Sequence, residues 1–329
     1  MKTYLINSAI ILLCGVAGGI GSCDVGNMAP IANTATLSLK LSDYGIFPDG
    51  SIERPAAGFH KYYLATQLFT DYAEKQRLLH LPRGARFSFD PSGNAVFPDS
   101  SILVKTFFYY PDKRKPAAGK QLIETRILIK VKGQWNVGTY QWNAAQTDAF
   151  LLENGTDETV SWVNEQGLRQ TLRYHIPSNE ECSSCHHSGR SITPIGPKAR
   201  NMNISLTDHP NHENQLLHFQ RAGLLTLQPN DLLAPLPDRQ DSSIALDQRA
   251  RAYLDVNCAH CHSSTGFAES TRLFLGYEVP FSATRIGARK DHILHRIQAT
   301  NPNIRMPQLG TTVPDSAGVA LIRAYIQSL

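Results

Sequence analysis

The most regular alternation of hydrophobic and polar residues in the chain lies between residues 123 and 132. One face would carry Ile123, Thr125, Ile127, Ile129 and Val131, and the other Glu124, Arg126, Lys130 and Lys132. A period of two predicts a β-strand with one buried face and one polar face. Gly133 marks a turn, after which residues 135–142 return as the partner strand of a hairpin.

Three further stretches have the composition of strands. Residues 102–110 are rich in β-branched and aromatic residues, residues 159–163 and 168–174 suggest two more strands, and turn-forming residues separate the three stretches. Short strands at such spacing predict a β-sandwich-like domain over residues 40–175. Its tryptophans are expected to serve in packing.

The second half of the chain has the period of helices. A helix is predicted over residues 244–256, with Ser243 as its N-cap residue. Its apolar face comprises Leu246, Ala250, Tyr253 and Leu254. Further helices are predicted over residues 213–225, around residues 293–297, and from Asp315 to the C-terminus.

A proline-rich linker divides this helical half into two units, residues 176–240 and 241–329. The predicted fold class is therefore α+β: a β-sandwich-like N-terminal domain followed by two mainly α-helical units.

The predicted helix over residues 244–256 leads directly into a Cys-x-x-Cys-His run, and the same pattern occurs earlier in the chain. The first motif is Cys182, Cys185 and His186, and the second motif is Cys258, Cys261 and His262. Two thiols three positions apart on a helical turn can reach the two vinyl groups at one edge of a porphyrin, with the histidine beneath the iron. We therefore predict two covalently bound haem c groups and two cytochrome c-like units.

The histidines of the motifs, His186 and His262, are the predicted proximal iron ligands. For the second haem, Met306 lies 44 residues after His262 and precedes Pro307 and Leu309-Gly310. This is the arrangement of the methionine loop in class I cytochromes c, so Met306 is the predicted sixth ligand. The alternative is a core methionine.

The sixth ligand of the first haem stays open between several residues. Met202 is 16 residues after His186 and is slightly favoured. The competing histidines are His175, His209, His212 and His218. The carbonyl of Pro197 is expected to accept the other ring proton of His186, and Arg200 and Arg285 are candidate partners of the haem propionates.

The N-terminus has the pattern of an export signal, with Lys2 before an apolar stretch and small residues. Ile20-Gly21-Ser22-Cys23 is similar to a lipobox, which predicts a lipoprotein signal peptide over residues 1–22 and lipidation of Cys23. The alternative is an ordinary signal peptide. Residues 23–39 would form a tether, and the protein would be held by its lipid in the periplasm, where haem attachment of this kind takes place.

Charge excludes one class of partner. The formal net charge is +4, and four haem propionates would bring the protein close to neutrality. The chain therefore has no signature of nucleic-acid binding.

The chain resembles a family of two-haem c-type cytochromes from Gram-negative bacteria. The resemblance is carried by LFTDYAEKQRLLHLPRG (68–84), PIGPKARNMN (194–203), RARAYLDVNCAHCH (249–262) and MPQLG (306–310). It implies a periplasmic haem protein with a β-rich region before the cytochrome part. It also implies a parallel β-helix protein as a candidate partner. In the family, leucine is common at the position of Met202.

These features lead to one main function and two alternatives. The main hypothesis is a relay of single electrons between periplasmic redox proteins. The first alternative is a haem enzyme, a peroxidase or a dehydrogenase subunit, whose first haem is open to substrate. The second is zinc binding by the cysteine pairs, which the long separation of the pairs and the histidine after each pair disfavour.

Overall fold

The computed structural model describes residues 36–207 and 209–329, which belong to one compact unit. The predicted signal peptide and the lipidation site at Cys23 lie outside the described residues. The described part is mixed α and β, as the α+β prediction requires.

The strands are β1 (Phe59–Lys61), β2 (Glu74–His80), β3 (Ser88–Phe89), β4 (Ala95–Val96), β5 (Ile102–Tyr109), β6 (Gln121–Val131), β7 (Gln134–Trp142), β8 (Ala149–Leu152), β9 (Thr156–Val163), β10 (Arg169–Ile176), β11 (His187–Ser188) and β12 (Ser191–Ile192). The α-helices are α1 (Asn179–Cys185), α2 (Ala199–Met202), α3 (Gln215–Arg221), α4 (Leu246–Asn257), α5 (Phe281–Thr284), α6 (Ile286–Ile297) and α7 (Ser316–Gln327). Short 3₁₀ turns cover Leu41–Tyr44, Pro116–Ala118, Pro210–His212, Pro229–Asp231 and Glu269–Thr271.

Six strands form one antiparallel sheet in the order β1-β2-β5-β6-β7-β8. The predicted hairpin is its centre, because β6 and β7 are joined by the turn at Gly133. The hairpin β9-β10 forms a separate two-stranded sheet whose buried Val160, Trp162 and Tyr174 pack on Phe107 of the main sheet. The described part thus has one large sheet partly covered by a hairpin, instead of the two facing sheets of a sandwich.

Both faces of the large sheet are covered. On one face Leu78, Val104 and Ile127 pack against the segment that contains Leu41 and Ile46. On the other face a row of Leu79, Leu103, Leu128 and Val137 packs against a cluster that includes Cys182 of the first motif. The polar face predicted for β6 is therefore covered by protein, and Glu124 on this face is fully buried.

The C-terminal helices cross closely. Asp315 caps α7 as predicted, and its carboxylate accepts from the N–H of Gly318 at 3.0 Å. Gly318 lies against the ring of Tyr253 on α4, so the missing side chain at Gly318 leaves room for that ring between the two helices. The predicted helix over residues 244–256 is α4, and Ala245 replaces Ser243 as its N-cap residue.

An extended segment, residues 62–73, connects the sheet with both helical regions. Thr66 N–H donates to Asn201 Oδ1 at 2.9 Å, and Phe69 N–H donates to Asn257 Oδ1 at 2.7 Å. The carboxylate of Asp71 accepts from the N–H of Thr312 at 2.8 Å. These contacts connect the parts of the chain on either side of residues 175 and 240, and the described residues belong to one compact unit.

Candidate haem-attachment site

The first motif is set on a short capped helix. Ser178 is the N-cap residue of α1, and its side chain accepts from Glu181 N–H at 3.2 Å while Glu181 Oε2 accepts from Ser178 N–H at 2.8 Å. This capping box stabilises a helix that is too short to persist alone. Cys182 and Cys185 lie on its last turn, and His186 ends it.

The ring of His186 is fixed through one nitrogen. Its Nδ1 lies 2.7 Å from the carbonyl oxygen of Thr193, so Nδ1–H donates there and Nε2 is the nitrogen that would be available to a ligand. Burial lowers the pKa of His186 to about 3, which keeps the ring neutral. The prediction that the Pro197 carbonyl accepts from the His186 ring is therefore wrong. The Pro197 oxygen instead accepts from Ala95 N–H at 3.0 Å.

The second motif follows α4 directly. His262 N–H donates to Cys258 O at 2.8 Å, which closes the turn of the motif. His262 Nδ1 lies 3.3 Å from Thr271 Oγ1, and that hydroxyl donates to Ala268 O at 2.7 Å. The hydroxyl is therefore an acceptor for Nδ1–H, and Nε2 is again left for a metal. Burial lowers the pKa of His262 to about 4.

The two motifs contact each other. Gly189 N–H donates to Thr265 O at 2.9 Å, and the hydroxyls of Ser188 and Thr265 are 3.1 Å apart. The thiols of Cys185 and Cys261 interact, and this interaction raises the pKa of Cys185 well above its ordinary value and lowers that of Cys261. The second cysteines of both motifs are therefore neighbours.

His260, between the cysteines of the second motif, lies beside the first motif. It forms a hydrogen bond with Cys185, and its Nδ1 is buried without a hydrogen-bond partner among the described residues. Contact between two motifs separated by more than 70 residues leaves no local pattern.

A cavity opens over the first motif, and several parts of the chain line it. Cys182, Cys185 and His186 form one wall. Lys105 and Arg126 come from the sheet. The remaining lining comes mainly from residues 68–70 and from the loop after Met306, which contributes Pro307, Leu309, Gly310 and Thr311.

The predicted sixth ligands of the first haem do not line this cavity. Met202 is fully buried in an apolar cluster with Leu216 and Phe219. His209 and His218 lie with Glu213 in a group whose donor atoms are within 4.8 Å of one another. His175 is bound between Asp157 and Glu181, and His212 is exposed. Met306 is half-buried, in the loop after α6.

The predicted propionate partners, Arg200 and Arg285, do not line this cavity either. Arg200 pairs with Glu278 and donates to Ala234 O at 2.9 Å. Arg285 is exposed and begins α6. The basic residues at the cavity, Lys105 and Arg126, were predicted only as strand residues, because the pairing that brings them to the motif is long-range.

The zinc alternative receives no support from the geometry. Within the described residues, the group of three or more His, Cys, Asp or Glu donors close enough for one metal ion is His209, Glu213 and His218. The four cysteines do not form such a group.

His175 links the sheet to the first motif and provides a pH test. Its Nδ1 is 2.7 Å from Asp157 Oδ1 and its Nε2 is 3.0 Å from Glu181 Oε2. Burial acts to lower its pKa, but the two carboxylates outweigh burial and raise the pKa above 6.5. Protonated His175 therefore stabilises the fold fully below about pH 6.5, and this contribution is lost as pH rises through the folded-state pKa.

We expect the thermal unfolding midpoint of the wild type to fall as the pH rises from about 6.5 through the folded-state pKa of His175. In His175→Gln the midpoint should depend less steeply on pH over the same range. The measurement is thermal unfolding followed by circular dichroism at several pH values. His295→Gln, at an exposed position of α6, is the matched control and should keep the wild-type slope. An unchanged slope in His175→Gln would contradict the assignment.

Comparison with protein families, with curated proteins and with solved structures finds no match for this chain. Within the described residues, no helix is long and apolar enough to cross a membrane.

Proposed function

We propose that the protein is a two-haem c-type cytochrome that transfers single electrons. The observation that carries this proposal is the contact between the two Cys-x-x-Cys-His motifs, each with a neutral histidine held through Nδ1. A cofactor attached at each motif would be adjacent to the other, as a relay requires.

The residues present fit haem c. Each motif offers two thiols and one imidazole whose Nε2 is not used by the protein, and the first motif also borders a cavity with basic residues. When bound, haem supplies an iron that accepts and releases one electron at a time. The protein would attach it through the four thiols, orient His186 through Thr193 and orient His262 through Thr271.

The finer architecture is part of the same proposal. Helices α4, α6 and α7 surround the second motif and share one apolar core with Cys258 and Leu275. We assign residues 241–329 as a class I-like cytochrome c domain, with Met306 as sixth ligand, and residues 176–240 as the first haem unit. The proposed location is the periplasm with a lipid anchor at Cys23. The proposed partners are periplasmic redox proteins, with a parallel β-helix protein as a candidate.

A haem enzyme is the second candidate. It is favoured by the cavity over His186, which none of the predicted sixth ligands lines. An open first haem would bind carbon monoxide and show a high-spin spectrum, whereas a six-coordinate relay haem would do neither.

The attachment prediction is tested by mass. Exported from a host with cytochrome c maturation, the wild type should carry two haems per chain. The double variant Cys258→Ser/Cys261→Ser should carry one, because serine cannot form a thioether. Cys182→Ser/Cys185→Ser is the matched variant, also expected to carry one. A colourless wild-type protein of unmodified mass would refute the proposal.

A further inference from the structure

The sheet face that covers the first motif carries a row of basic residues. Arg77 of β2 is paired with Lys105 of β5, and Lys105 with Arg126 of β6. Directly paired residues point to the same face, and neighbouring strands are about 4.8 Å apart. Like charges in this arrangement repel each other, so nearby anions would stabilise the row of Arg77, Lys105 and Arg126.

The protein supplies only part of that negative charge. Glu124 binds Arg126 through two hydrogen bonds, at 2.5 and 2.8 Å. Arg77 is 5% exposed, and its hydrogen bond is to the neutral Gln67 at 3.4 Å. The ammonium of Lys105 lies 4.9 Å over the ring of Phe107. Among the described residues, neither Arg77 nor Lys105 forms an ion pair, which is costly for a buried charge.

The unbalanced charge lies beside the first motif. Arg126 is paired with Thr139 of β7, whose Oγ1 is 3.5 Å from the sulfur of Cys182. Lys105 is one strand further from Cys182 than Arg126, and both line the cavity with His186. In haem c the thioether bonds are at one edge of the porphyrin and both propionates are at the opposite edge. A basic row that leads away from Cys182 is therefore placed to meet the propionates.

We propose that Lys105, with Arg77 behind it, binds the propionates of the first haem. This inference rests on the proposed function. Lys105 lines the cavity and would contact a propionate directly, whereas Arg77, its partner on β2, does not line the cavity and would add positive charge behind it. Glu181 also lines the cavity, but His175 and Ser178 already hold its carboxylate.

The pKa of Lys105 agrees with this role. Burial, and then the charges of Arg77 and Arg126, lower the pKa of Lys105 well below its ordinary value. The ammonium form is therefore unfavourable until an anion enters the cavity. The negative charge of a haem propionate in the cavity would make the ammonium form of Lys105 favourable.

The test is a spectropotentiometric titration of the purified two-haem protein and its Lys105→Met variant. A positive charge near the iron favours the reduced state, because the added electron is attracted to it. We expect both haems to stay attached, the spin state to stay unchanged, and one midpoint potential to fall in Lys105→Met. Lys105→Arg should restore it. Lys61→Met removes a lysine from an exposed position of β1, outside this cavity, and should leave the potentials close to wild type.

Several outcomes would overturn the inference. Unchanged potentials in a two-haem Lys105→Met protein would overturn it while the proposed function stands. A change of the first haem to high spin would instead make Lys105 an iron ligand. If Lys105→Met yields no two-haem protein, Arg77→Met replaces it, and an unchanged potential there also counts against the proposal. A wild type without haem would overturn the proposed function itself.

Discussion

Replacing Gly318 by alanine should destabilise the protein by about 2 kcal/mol, although glycine to alanine in a helix normally stabilises. An added Cβ would lie 2.6 Å from Cε2 of Tyr253 and closer still to its hydroxyl. The ring cannot easily retreat, because Tyr253 is 6% exposed and Arg239, which pairs with Asp315, stacks over it. The methyl group would therefore force α7 away from α4, the helix that leads into the second motif.

The measurement is the free energy of unfolding from denaturant titration. Gly287→Ala in α6 is the matched control, since its Cβ would meet no atom nearer than Phe281 Cζ at 3.8 Å. That variant should be as stable as the wild type or slightly more stable. If Gly318→Ala behaved like Gly287→Ala, the close crossing of α4 and α7 would be wrong.

The parts of the fold that sequence predicted are those set by local patterns. The hairpin of β6 and β7 follows from alternation and the turn at Gly133, and the last helix follows from the cap at Asp315. The position of α4 directly before the second motif follows from its apolar face. In each case the deciding residues are within about one turn or one strand of one another.

The parts that sequence did not predict depend on long-range register. Alternation in β6 indicated a polar face, and nothing local shows that another part of the chain covers it. The pairing of Lys105 with Arg126 and of Arg126 with Thr139 turns that face into a wall of the first-motif cavity. The two cysteine motifs are visible in the sequence, whereas the basic residues beside the first motif could not be predicted from it.

The acceptor for His186 was missed for a related reason. The sequence does not show which carbonyl oxygens are already paired, so the Pro197 carbonyl was one reasonable candidate for the acceptor. In the structure the short hairpin of β11 and β12 turns the chain back. The carbonyl oxygen of Thr193, seven residues after His186, therefore accepts a hydrogen bond from the ring N–H of His186. The Pro197 carbonyl is used by the sheet-side residue Ala95 instead.

The two methionines should separate clearly when each is replaced by leucine. Met202 is fully buried among Leu216, Phe219 and other apolar side chains. A leucine of similar volume should cost less than about 1.5 kcal/mol there, and the haem spectra should not change. If Met306 is the proposed sixth ligand, Met306→Leu should remove the thioether from the second haem, lower its midpoint potential and abolish the charge-transfer band of methionine-ligated ferric haem, because the thioether favours ferrous iron.

Each variant is the control for the other, since both make the same exchange in the same protein. The half-buried Met306 lies in a loop whose next residues line the first-motif cavity. Met306→Leu could therefore disturb the first haem as well, and carbon monoxide binding at the second haem alone would show that the effect is ligand loss. Loss of the band in Met202→Leu, with the band retained in Met306→Leu, would assign the thioether to the first haem and contradict the assignment made for the loop at Met306.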